Sequence, residues 1–425
     1  MRPTGRLHIG HYFGALQNWI RLQNDRQYEC FFFIADWHAL TSDYADTSQV
    51  AQNTIEIATD WLAAGLDPER CTMFVQSAVP EHAELHLLLS MVTPLGWLER
   101  VPTYKEALDN IKDKDLHTYG FLGYPVLQTA DIVMYGDPAN ELVVPVGEDQ
   151  VSHVELSREI VRKFNLHNGL SLDVVGLQKP ENIDAAHLID MALKDSHGFG
   201  QRPSGYSLAD LREMESQVKL LPFRGGTEKF FSFVNEHAAF RKFVRFSKVL
   251  AEPEHMLTHT PRIPGTDGRK MSKSYGNFIS LSESDESIRA KSKAMVTDPA
   301  RKRRTDPGDP DVCPVYDWHK LFSPQQTLDW SANGCRTAGI GCIECKSAMA
   351  DNLIKWIEPV RQRREDYQQS PQHVLDILDT GSTRARMVAQ QTMDRVRGAV
   401  FGWEKTRANL AAAPSGGAQN VKAGG

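Results

Sequence analysis

The stretch Cys30-Phe31-Phe32-Phe33-Ile34-Ala35 is a short and continuous apolar run. Such a run is typical of a strand that is buried on both faces, as the strands of parallel sheets are. Similar runs recur at 72–76 and 142–146, and the stretches 48–65 and 151–164 have the periodicity of amphipathic helices. Because strands and helices alternate, the sequence predicts an α/β protein with a parallel sheet, which binds ligands at the carboxyl ends of its strands.

The composition excludes several classes of protein. The chain has 425 residues, of which 41% are hydrophobic and 24% are charged, as in ordinary soluble proteins. This length predicts two or three domains. No apolar run approaches the roughly 18 residues of a membrane-spanning helix, and no basic and then apolar leader opens the chain, so we expect a cytoplasmic protein. The net charge of −6 excludes a uniformly basic nucleic-acid-binding protein, although one face can still be basic.

The segment His8-Ile9-Gly10-His11, which we call the histidine turn, follows Pro3, Thr4 and Gly5 and leads into a helical pattern. Its two imidazoles lie three residues apart at the start of a helix, where free amides and the helix dipole favour phosphate. Imidazoles can donate hydrogen bonds to phosphoryl oxygens as negative charge develops on them. Gly10 leaves room for a flat base. The alternative is a pair of surface histidines on a helical turn.

The segment Lys270-Met271-Ser272-Lys273-Ser274, which we call the lysine loop, is preceded by Gly265 and Gly268 and followed by Gly276. Two ammonium groups on a glycine-hinged loop can close over a triphosphate and neutralise developing charge. An exposed basic turn is the alternative for this loop alone. The histidine turn and the lysine loop together, in this order and about 260 residues apart, favour a triphosphate site over two unrelated surface features.

Two further groups of polar residues indicate a pocket for a small molecule. Gly147-Glu148-Asp149-Gln150 follows the third predicted strand, at the carboxyl edge of the sheet. A carboxylate there can bind ribose hydroxyls, and an amide can bind an amine or a carboxylate. Tyr124, Gln128 and Asp131 share one face if their segment is helical. The alternatives are a common acidic loop and a solvated helix stripe.

Four of the six cysteines crowd into 33 residues, as Cys313, Cys335, Cys342 and Cys345. Four thiolates in this pattern suit either a tetrahedral zinc ion or a [4Fe–4S] cluster, and their spacing does not choose between the two. For an arbitrary chain zinc is favoured, and free structural thiols are the third alternative. The basic tetrad 301–304, just before the cysteines, is either a solvated run or an RNA-phosphate contact.

With the histidine turn and the lysine loop both present, the chain resembles the class I aminoacyl-tRNA synthetases. Further segments resemble the tryptophanyl-tRNA synthetases within that class, and the four-cysteine spacing resembles the subgroup of these enzymes with a [4Fe–4S] cluster. The resemblance covers roughly 1–166 and 251–410. The segments that carry it lie at 2–5, 35–40, 74–77, 124–131, 144–150 and 264–274.

The resemblance implies a Rossmann-like (HUP-type) catalytic domain with a parallel sheet, followed by an all-α C-terminal domain that binds the tRNA anticodon. It implies a homodimeric ligase that uses ATP with Mg²⁺ to activate L-tryptophan and then transfers the amino acid to tRNA(Trp), releasing AMP and diphosphate. It also favours [4Fe–4S] over zinc at the four cysteines.

The family's site residues carry over to the matching positions of this sequence. Lys270, Lys273, His8 and His11 are implied to act in catalysis. Asp131 is implied to accept the indole N–H of tryptophan, since an indole offers one donor and no acceptor. The other implied tryptophan-binding residues are Tyr124, Gln128, Gln150, His38 and Val144. The implied ATP-binding residues are Arg2, Pro3, Thr4, Gly10, His11, Gly147, Glu148, Asp149, Ile263, Lys270, Met271, Ser272, Lys273 and Ser274.

The resemblance and the changes of composition along the chain predict five segments. We expect a catalytic domain at 1–166 that lacks the family's first strand, which suggests a mis-set start or a truncated sequence. A helical insertion of unknown role at 167–250 far exceeds the short connection usual in the family. The remaining predicted segments are the lysine-loop region at 251–284, the helical anticodon-binding domain with the cysteines at 285–410, and a disordered tail at 411–425.

Three other functions stay open on the sequence alone. A tyrosyl-tRNA synthetase could bind a phenol through Asp131 and Gln128, although the Trp37-His38 segment and the cysteines argue against it. Another nucleotidyltransferase would use the histidine turn but would not need the lysine loop or a basic helical C-terminal domain. A non-enzymatic iron–sulfur protein that binds RNA or senses redox state gains some support from the expected loss of the first strand.

Overall fold

The three apolar runs found in the sequence are parallel strands in the structure, a computed structural model. The structure describes residues 1–111, 114–194, 205–258, 263–403 and 406–407. The strands are β1 (Phe31–Ile34), β2 (Thr72–Val75), β3 (Leu142–Val146), β4 (Leu170–Leu172), β5 (Val244–Phe246) and β6 (Pro253–Leu257). β1 pairs in parallel with β2, and β3 pairs in parallel with β6, which the sequence analysis did not assign. The predicted α/β architecture with parallel strands is confirmed.

Helices connect and cover these strands. The predicted helices at 48–65 and 151–164 are present as α4 and α9, and α4 ends at Gly65, whose φ of 116° is a left-handed conformation that favours glycine. Trp61 of α4 is fully buried against the core beneath β1. The helices up to this point of the chain are α1 (Ile9–His11), α2 (Gln17–Gln23), α3 (Asp36–Asp43), α4 (Val50–Ala64), α5 (Glu81–Ser90), α6 (Leu95–Leu98), α7 (Pro102–Asn110), α8 (Tyr119–Val133) and α9 (Val151–Asn168).

The segment predicted as a helical insertion also contains a small antiparallel sheet. β4 pairs with β5 over three residues, a length too short to give a periodic signal in the sequence. The segment has an apolar core of its own, which includes Leu211, Phe240 and Phe243. Because Leu142 at the start of β3 pairs with Pro253 at the start of β6, this segment joins the amino edge of the sheet, opposite the strands' carboxyl ends. Its helices are α10 (Val174–Leu177), α11 (Ile183–Leu193), α12 (Leu208–Gly225), α13 (Thr227–Glu236) and α14 (Ala238–Phe243).

The described residues after 284 contain helices and no strand, as expected. The helices are α15 (Asp285–Ala294), α16 (Pro314–Phe322), α17 (Gln325–Arg336), α18 (Cys342–Gln368) and α19 (Pro371–Val400). These helices share cores with the catalytic part, since Val360 and Leu378 belong to the same apolar cluster as Ile34. A Cβ at Gly381 of α19 would lie 1.8 Å from the carbonyl oxygen of Met73, so glycine lets α19 approach the edge of β2. The predicted tail at 411–425 lies outside the described residues.

Within the described ranges, no helix combines the length and the apolar character that a membrane span needs.

Candidate active site

The histidine turn is a compact unit in which the two imidazoles stack. Their ring centroids lie 3.7 Å apart, and the backbone N–H of His8 donates to Nδ1 of His11 over 3.2 Å. Burial lowers the pKa of His8 to about 4, and burial together with the neighbouring His8 lowers the pKa of His11 to about 3. Both rings are therefore neutral at pH 7, where they can donate hydrogen bonds to phosphate without carrying charge. A Cβ at Gly10 would lie 2.9 Å from the His8 ring, which accounts for glycine there.

The lysine loop lies directly against the turn that precedes the histidine turn. The Nζ of Lys273 donates to the carbonyl oxygens of Thr4 over 2.9 Å and of Gly5 over 2.8 Å. Burial lowers the pKa of Lys273, and the charge of Asp60 opposes that shift. The structure thus brings together the two motifs that the sequence analysis assigned to one triphosphate site.

The other residues of the lysine loop differ in exposure. Met271 is buried, and its sulfur would lie 3.3 Å from a Cβ placed at Gly10. Lys270 is exposed to solvent, and Ser272 is half-buried. The side chain of Ser274 lies outside what the structure describes. Of the two lysines, Lys270 therefore extends into solvent, whereas Lys273 is held against Thr4 and Gly5.

An asparagine that the sequence analysis did not single out organises the lysine loop. Asn277 is 3% exposed, and its Oδ1 accepts from the backbone N–H of Ser272 over 2.8 Å. Its Nδ2 donates to Asp267 over 2.7 Å and to the carbonyl oxygen of Lys270 over 3.1 Å. At the base of the loop, the indole of Trp318 donates to the carbonyl oxygen of Pro264 over 2.9 Å. The lysine loop and its glycines marked this part of the chain in the sequence, but no local pattern marks Asn277.

The remaining implied ATP-binding residues line the carboxyl edge of β3 and the first turn of the chain. A Cβ at Gly147 would lie 2.8 Å from Oδ1 of Asp149, so this turn brings the Asp149 carboxylate close to the backbone of Gly147. Glu148 and Asp149 are exposed, while Ile263 is buried in the same apolar cluster as Met271. Arg2 and Thr4 are exposed and Pro3 is buried.

Asp131 lies on α8 at the centre of a buried polar cluster. Its carboxylate accepts from Nε2 of His38 over 2.7 Å, from Nδ1 of His82 over 2.6 Å and from Nε2 of Gln76 over 2.8 and 2.9 Å. The Nε2 atom of His82 lies 2.6 Å from the hydroxyl of Tyr135. Burial would raise the pKa of Asp131, but the hydrogen bonds from His38 and His82 outweigh it and hold that pKa well below its usual range.

This cluster leaves Asp131 ionised. A carboxylate offers about four acceptor positions, and the single Nε2 atom of Gln76 contacts two of them, so one of these contacts can be given up to another donor. An incoming N–H donor therefore finds a charged acceptor in a buried pocket, which strengthens the hydrogen bond. The sequence analysis missed His82 and gave no role to Gln76, although Gln76 follows directly on the apolar run of β2.

Tyr124 and Gln150, which the resemblance implies for one ligand, have separate partners in the structure. The hydroxyl of Tyr124 lies 2.9 Å from Nε2 of His153 and 2.5 Å from Oγ1 of Thr103. Gln150 donates to Asp149 over 3.2 Å. The Nδ1 atom of His153 is buried without a partner among the described residues. The polar side of the pocket therefore extends to Thr103 and His153, which no sequence pattern marked.

The last two implied tryptophan-binding residues are half-buried. Gln128 lies on α8, within one turn of Asp131, and Val144 lies in the middle of β3. The predicted helix with Tyr124, Gln128 and Asp131 on one face is present as α8.

The four cysteines lie around the amino ends of α16 and α18. Cys313 precedes α16, Cys342 and Cys345 lie in the first turn of α18, and Cys335 lies in the last turn of α17. Burial and the three other thiols raise the pKa of Cys345 to about 12, so the four thiols lie within electrostatic range of one another. None of the cysteines forms a disulfide.

A buried guanidinium and a closely packed glycine lie beside these cysteines. Among the described residues, no three Cys, His, Asp or Glu side chains are arranged as the ligands of a metal ion. The guanidinium of Arg301 lies 3.7 Å from Sγ of Cys335, and a Cβ at Gly308 would lie 2.8 Å from the same sulfur. Arg301 is 8% exposed and also donates to the carbonyl oxygen of Ile340, so in the tetrad 301–304 only the other three side chains face solvent.

Comparison with known proteins places the whole arrangement in a family. The family model described as tRNA synthetases class I (W and Y) matches residues 1–187 and 236–358. The chain belongs to this family. The residues between the two matched parts, 188–235, fall within the segment that the sequence analysis predicted as an insertion. The class I synthetase fold inferred from the sequence is thereby confirmed.

Individual members of this synthetase family match most of the chain. A tryptophan–tRNA ligase of Ralstonia nicotianae is 46% identical over 407 residues, which cover 94% of this chain and 96% of the relative. A tryptophan–tRNA ligase of Thermotoga maritima is 40% identical, with 94% and 97% covered. The crystal structure of tryptophanyl-tRNA synthetase from Campylobacter jejuni complexed with ADP and tryptophan has a TM-score of 0.66 at 26% identity, with 93% and 97% covered.

Proposed function

We infer that this chain is a tryptophan–tRNA ligase that works in two steps. In the first, the carboxylate of L-tryptophan attacks the α-phosphate of ATP, giving tryptophanyl-adenylate and diphosphate. In the second, the terminal ribose hydroxyl of tRNA(Trp) takes the acyl group and AMP leaves. The observation that carries this proposal is that the Nζ of Lys273 in the lysine loop donates to the carbonyl oxygens of Thr4 and Gly5, in the turn that precedes the histidine turn.

The adenylation step needs charge stabilisation and positioning and no side-chain nucleophile. Lys270 and Lys273 hold the phosphates and neutralise the charge that develops on the leaving diphosphate. His8 and His11 donate hydrogen bonds to phosphoryl oxygens as neutral imidazoles, which is supported by their lowered pKa values. ATP enters as its magnesium complex, in which the ion supplies further neutralisation of the phosphates.

The rest of the nucleotide is held by the carboxyl edge of β3 and by the first turn of the chain. Ribose and base lie between the histidine turn and the carboxyl end of β3. The residues assigned to ATP are Arg2, Pro3, Thr4, Gly10, His11, Gly147, Glu148, Asp149, Ile263, Lys270, Met271, Ser272, Lys273 and Ser274.

The amino acid is selected by Asp131. Its ionised carboxylate accepts the indole N–H, and His38, His82 and Gln76 fix its orientation. A phenol would present a hydroxyl that both donates and accepts, whereas the donors around Asp131 are already used on the carboxylate. Tyr124, Gln128, Gln150, His38 and Val144 complete the tryptophan pocket.

ATP–diphosphate exchange with each of the twenty amino acids tests this assignment. We expect tryptophan to support exchange at a rate far above tyrosine and every other amino acid, and we expect tRNA(Trp) to be charged. Tyrosine-dependent exchange would point to the tyrosine branch of the family. Absence of exchange with any amino acid, in folded protein, would favour a non-enzymatic RNA-binding protein.

We propose that Cys313, Cys335, Cys342 and Cys345 hold a [4Fe–4S] cluster, with a zinc ion as the alternative at the same site. Four cysteine thiols are the ligand set of such clusters, and a cubane keeps its thiolates further apart than one zinc ion does. The cluster would tie the loop before α16 to the ends of α17 and α18 that carry the other cysteines. The guanidinium of Arg301 would offset part of the negative charge of the thiolates at Cys335.

The helical region at 285–410 is proposed to bind the anticodon of the tRNA. Lys302, Arg303 and Arg304 are exposed beside the cysteine site and can contact RNA phosphates, although Arg304 is also paired with Glu344. We propose that the five segments given in the sequence analysis have the separate roles stated there. We place the enzyme in the cytoplasm, where its tRNA substrate is used.

A homodimer is proposed from an exposed apolar ridge. On α5 and α6 and the turn between them, Leu87 is 54% exposed, Met91 is 72% exposed and Leu95 is 63% exposed. Such clustered apolar side chains are commonly covered in an oligomer. Light scattering should give twice the mass of the chain, and the double variant Leu87→Glu/Met91→Glu should shift the protein to the monomer. A monomeric parent would contradict the proposal.

A further inference from the structure

A buried ion pair lies directly beneath the histidine turn. Asp60 of α4 is 1% exposed, and its Oδ2 accepts from the backbone N–H of Leu7 over 2.6 Å. Its Oδ1 accepts from Nε of Arg364 over 2.6 Å, and Arg364 is 2% exposed. One carboxylate oxygen thus holds the chain next to His8, while the other holds α18, 304 residues further along the sequence.

The segment held by Asp60 is fixed on its other side by the chain that follows the lysine loop. The backbone N–H of Leu281 donates to the carbonyl oxygen of Leu7 over 2.9 Å, and that of Ile9 donates to the carbonyl oxygen of Ile279 over 3.1 Å. His8 lies between these two hydrogen bonds. The position of the first imidazole is therefore determined by the segment 279–281 on one side and by Asp60 on the other.

The same face of α18 also holds the segment that follows the lysine loop. Arg361, one turn before Arg364, donates to the carbonyl oxygen of Glu283 over 3.0 Å and pairs with Asp285. Helix α18 thus contacts Asp60, which holds Leu7 just before the histidine turn, and also residues 283 and 285 after the lysine loop. The charge of Asp60 is also felt by Lys273, as described above.

We propose that Asp60 and Arg364 are positioning residues for adenylation, which set the place of the histidine turn relative to the lysine loop. A buried ion pair adds little net stability compared with apolar residues of the same size. Its geometry, with one oxygen committed to the backbone of Leu7, is better explained by control of the turn that donates to phosphate. The proposal rests on the ATP chemistry assigned under Proposed function.

The test separates positioning from stability by removing both charges. The double variant Asp60→Leu/Arg364→Met removes both buried charges, and Glu56, which also pairs with Arg364, keeps Arg6 as a partner, so its melting temperature should lie above those of Asp60→Leu and Arg364→Met alone. The N–H of Leu7 nevertheless loses its acceptor. We expect kcat/KM for ATP in tryptophan-dependent diphosphate exchange to fall about tenfold or more, with KM for tryptophan within about twofold of the parent.

Two more variants complete the test. Arg363 lies next to Arg364 and donates to the carbonyl oxygen of Ala63, so Arg363→Ala loosens the same helix contact without touching Asp60 and should keep its ATP kinetics. Arg364→Lys retains the charge and should recover part of kcat/KM for ATP. Unchanged ATP kinetics in the folded double variant would overturn the proposal, as would an equal loss in Arg363→Ala. Absence of exchange in the parent itself would instead overturn the proposed function.

Discussion

Asp60 and Asp131 are both buried carboxylates, but their surroundings differ in kind. Asp60 is paired with the permanently charged guanidinium of Arg364 and with one backbone amide. Asp131 receives two imidazoles and one side-chain amide, and no Arg or Lys. The first carboxylate shares its guanidinium with Glu56, whereas the second is held by two histidines and one amide.

This difference separates a positioning role from a recognition role. A carboxylate that accepts from a backbone amide with one oxygen and from a guanidinium with the other holds two parts of the chain in place. A carboxylate that accepts twice from a single amide nitrogen can give up one of these contacts to an incoming N–H. We therefore propose Asp60 for the nucleotide side of the site and Asp131 for the amino-acid side.

The largest effect on catalysis is expected at Lys273, on the nucleotide side of the site. Lys273→Ala removes the ammonium that now donates to Thr4 and Gly5, and with it a charge aimed at the leaving diphosphate. We expect kcat for adenylation to fall by about 10²-fold or more, with a smaller change in KM for tryptophan. Steady-state diphosphate exchange measures both. A change in KM for ATP with kcat unchanged would make Lys273 a docking residue rather than one that acts on the transition state.

The next largest effect is expected at Asp131, on the amino-acid side of the site. Asp131→Ala removes the acceptor for the indole N–H and leaves His38, His82 and Gln76 without their common partner. We expect tryptophan binding to weaken by about 1–3 kcal/mol, and the protein to lose stability as well. Isothermal titration with tryptophan measures the change in binding, and a thermal scan measures the change in stability. Tryptophan affinity within about twofold of the parent would show that Asp131 does not recognise the indole.

A smaller effect concerns pH. The folded-state pKa values of His8 and His11, about 4 and about 3, lie below the ordinary value of 6.5. Between these values the unfolded chain binds more protons, so stability falls as pH drops from about 6.5 towards 4, by up to about 1.4 kcal/mol per pH unit for each ring.

Urea unfolding at pH 7 and pH 5 measures this dependence. The variant His11→Gln should lose part of it, while its exchange activity should be reduced at both pH values. An identical difference between pH 7 and pH 5 in parent and variant would contradict the assignment of a neutral His11.

The smallest effect on adenylation is expected at the cysteines, which we assign neither to the nucleotide side nor to the amino-acid side of the site. Cys342→Ser should abolish the brown colour and the broad absorption near 400 nm that a [4Fe–4S] cluster gives, and it should weaken tRNA charging. Diphosphate exchange should change by no more than about twofold, because the cysteines are proposed to order the tRNA-binding part of the chain and to take no part in adenylation. One zinc and no iron in anaerobically purified protein would contradict the cluster, and loss of exchange in folded Cys342→Ser would contradict its separation from adenylation.

Much of the fold follows from local patterns in the sequence. The apolar runs gave β1, β2 and β3, and the helical periodicity and Gly65 gave α4 with its carboxyl end. The histidine turn and the lysine loop could be assigned to one site because each has a distinctive local composition. Strands of three residues, such as β4 and β5, carry too few positions to show a period, so the insertion was predicted as purely helical.

Long-range polar partners could not be predicted in the same way. Asp60 and Arg364 look like ordinary charged residues on two amphipathic helices, and only the packing of α18 on α4 brings them together. His82 lies within an apolar helix whose sequence gives no sign of Asp131. Asn277 is one polar residue in a glycine-rich loop. Each of these side chains acquires its role from a neighbour that is distant in sequence.

The most direct test of the roles of Asp60 and Asp131 measures the kinetics of both substrates in variants of both aspartates. KM and kcat for ATP and for tryptophan should be determined in diphosphate exchange for Asp131→Asn and for Asp60→Leu/Arg364→Met. We predict a crossed result: Asp131→Asn raises KM for tryptophan about tenfold or more and leaves KM for ATP nearly unchanged, whereas the double variant impairs the use of ATP and spares tryptophan. The same pattern of losses in both variants would contradict the division of the site between the two aspartates.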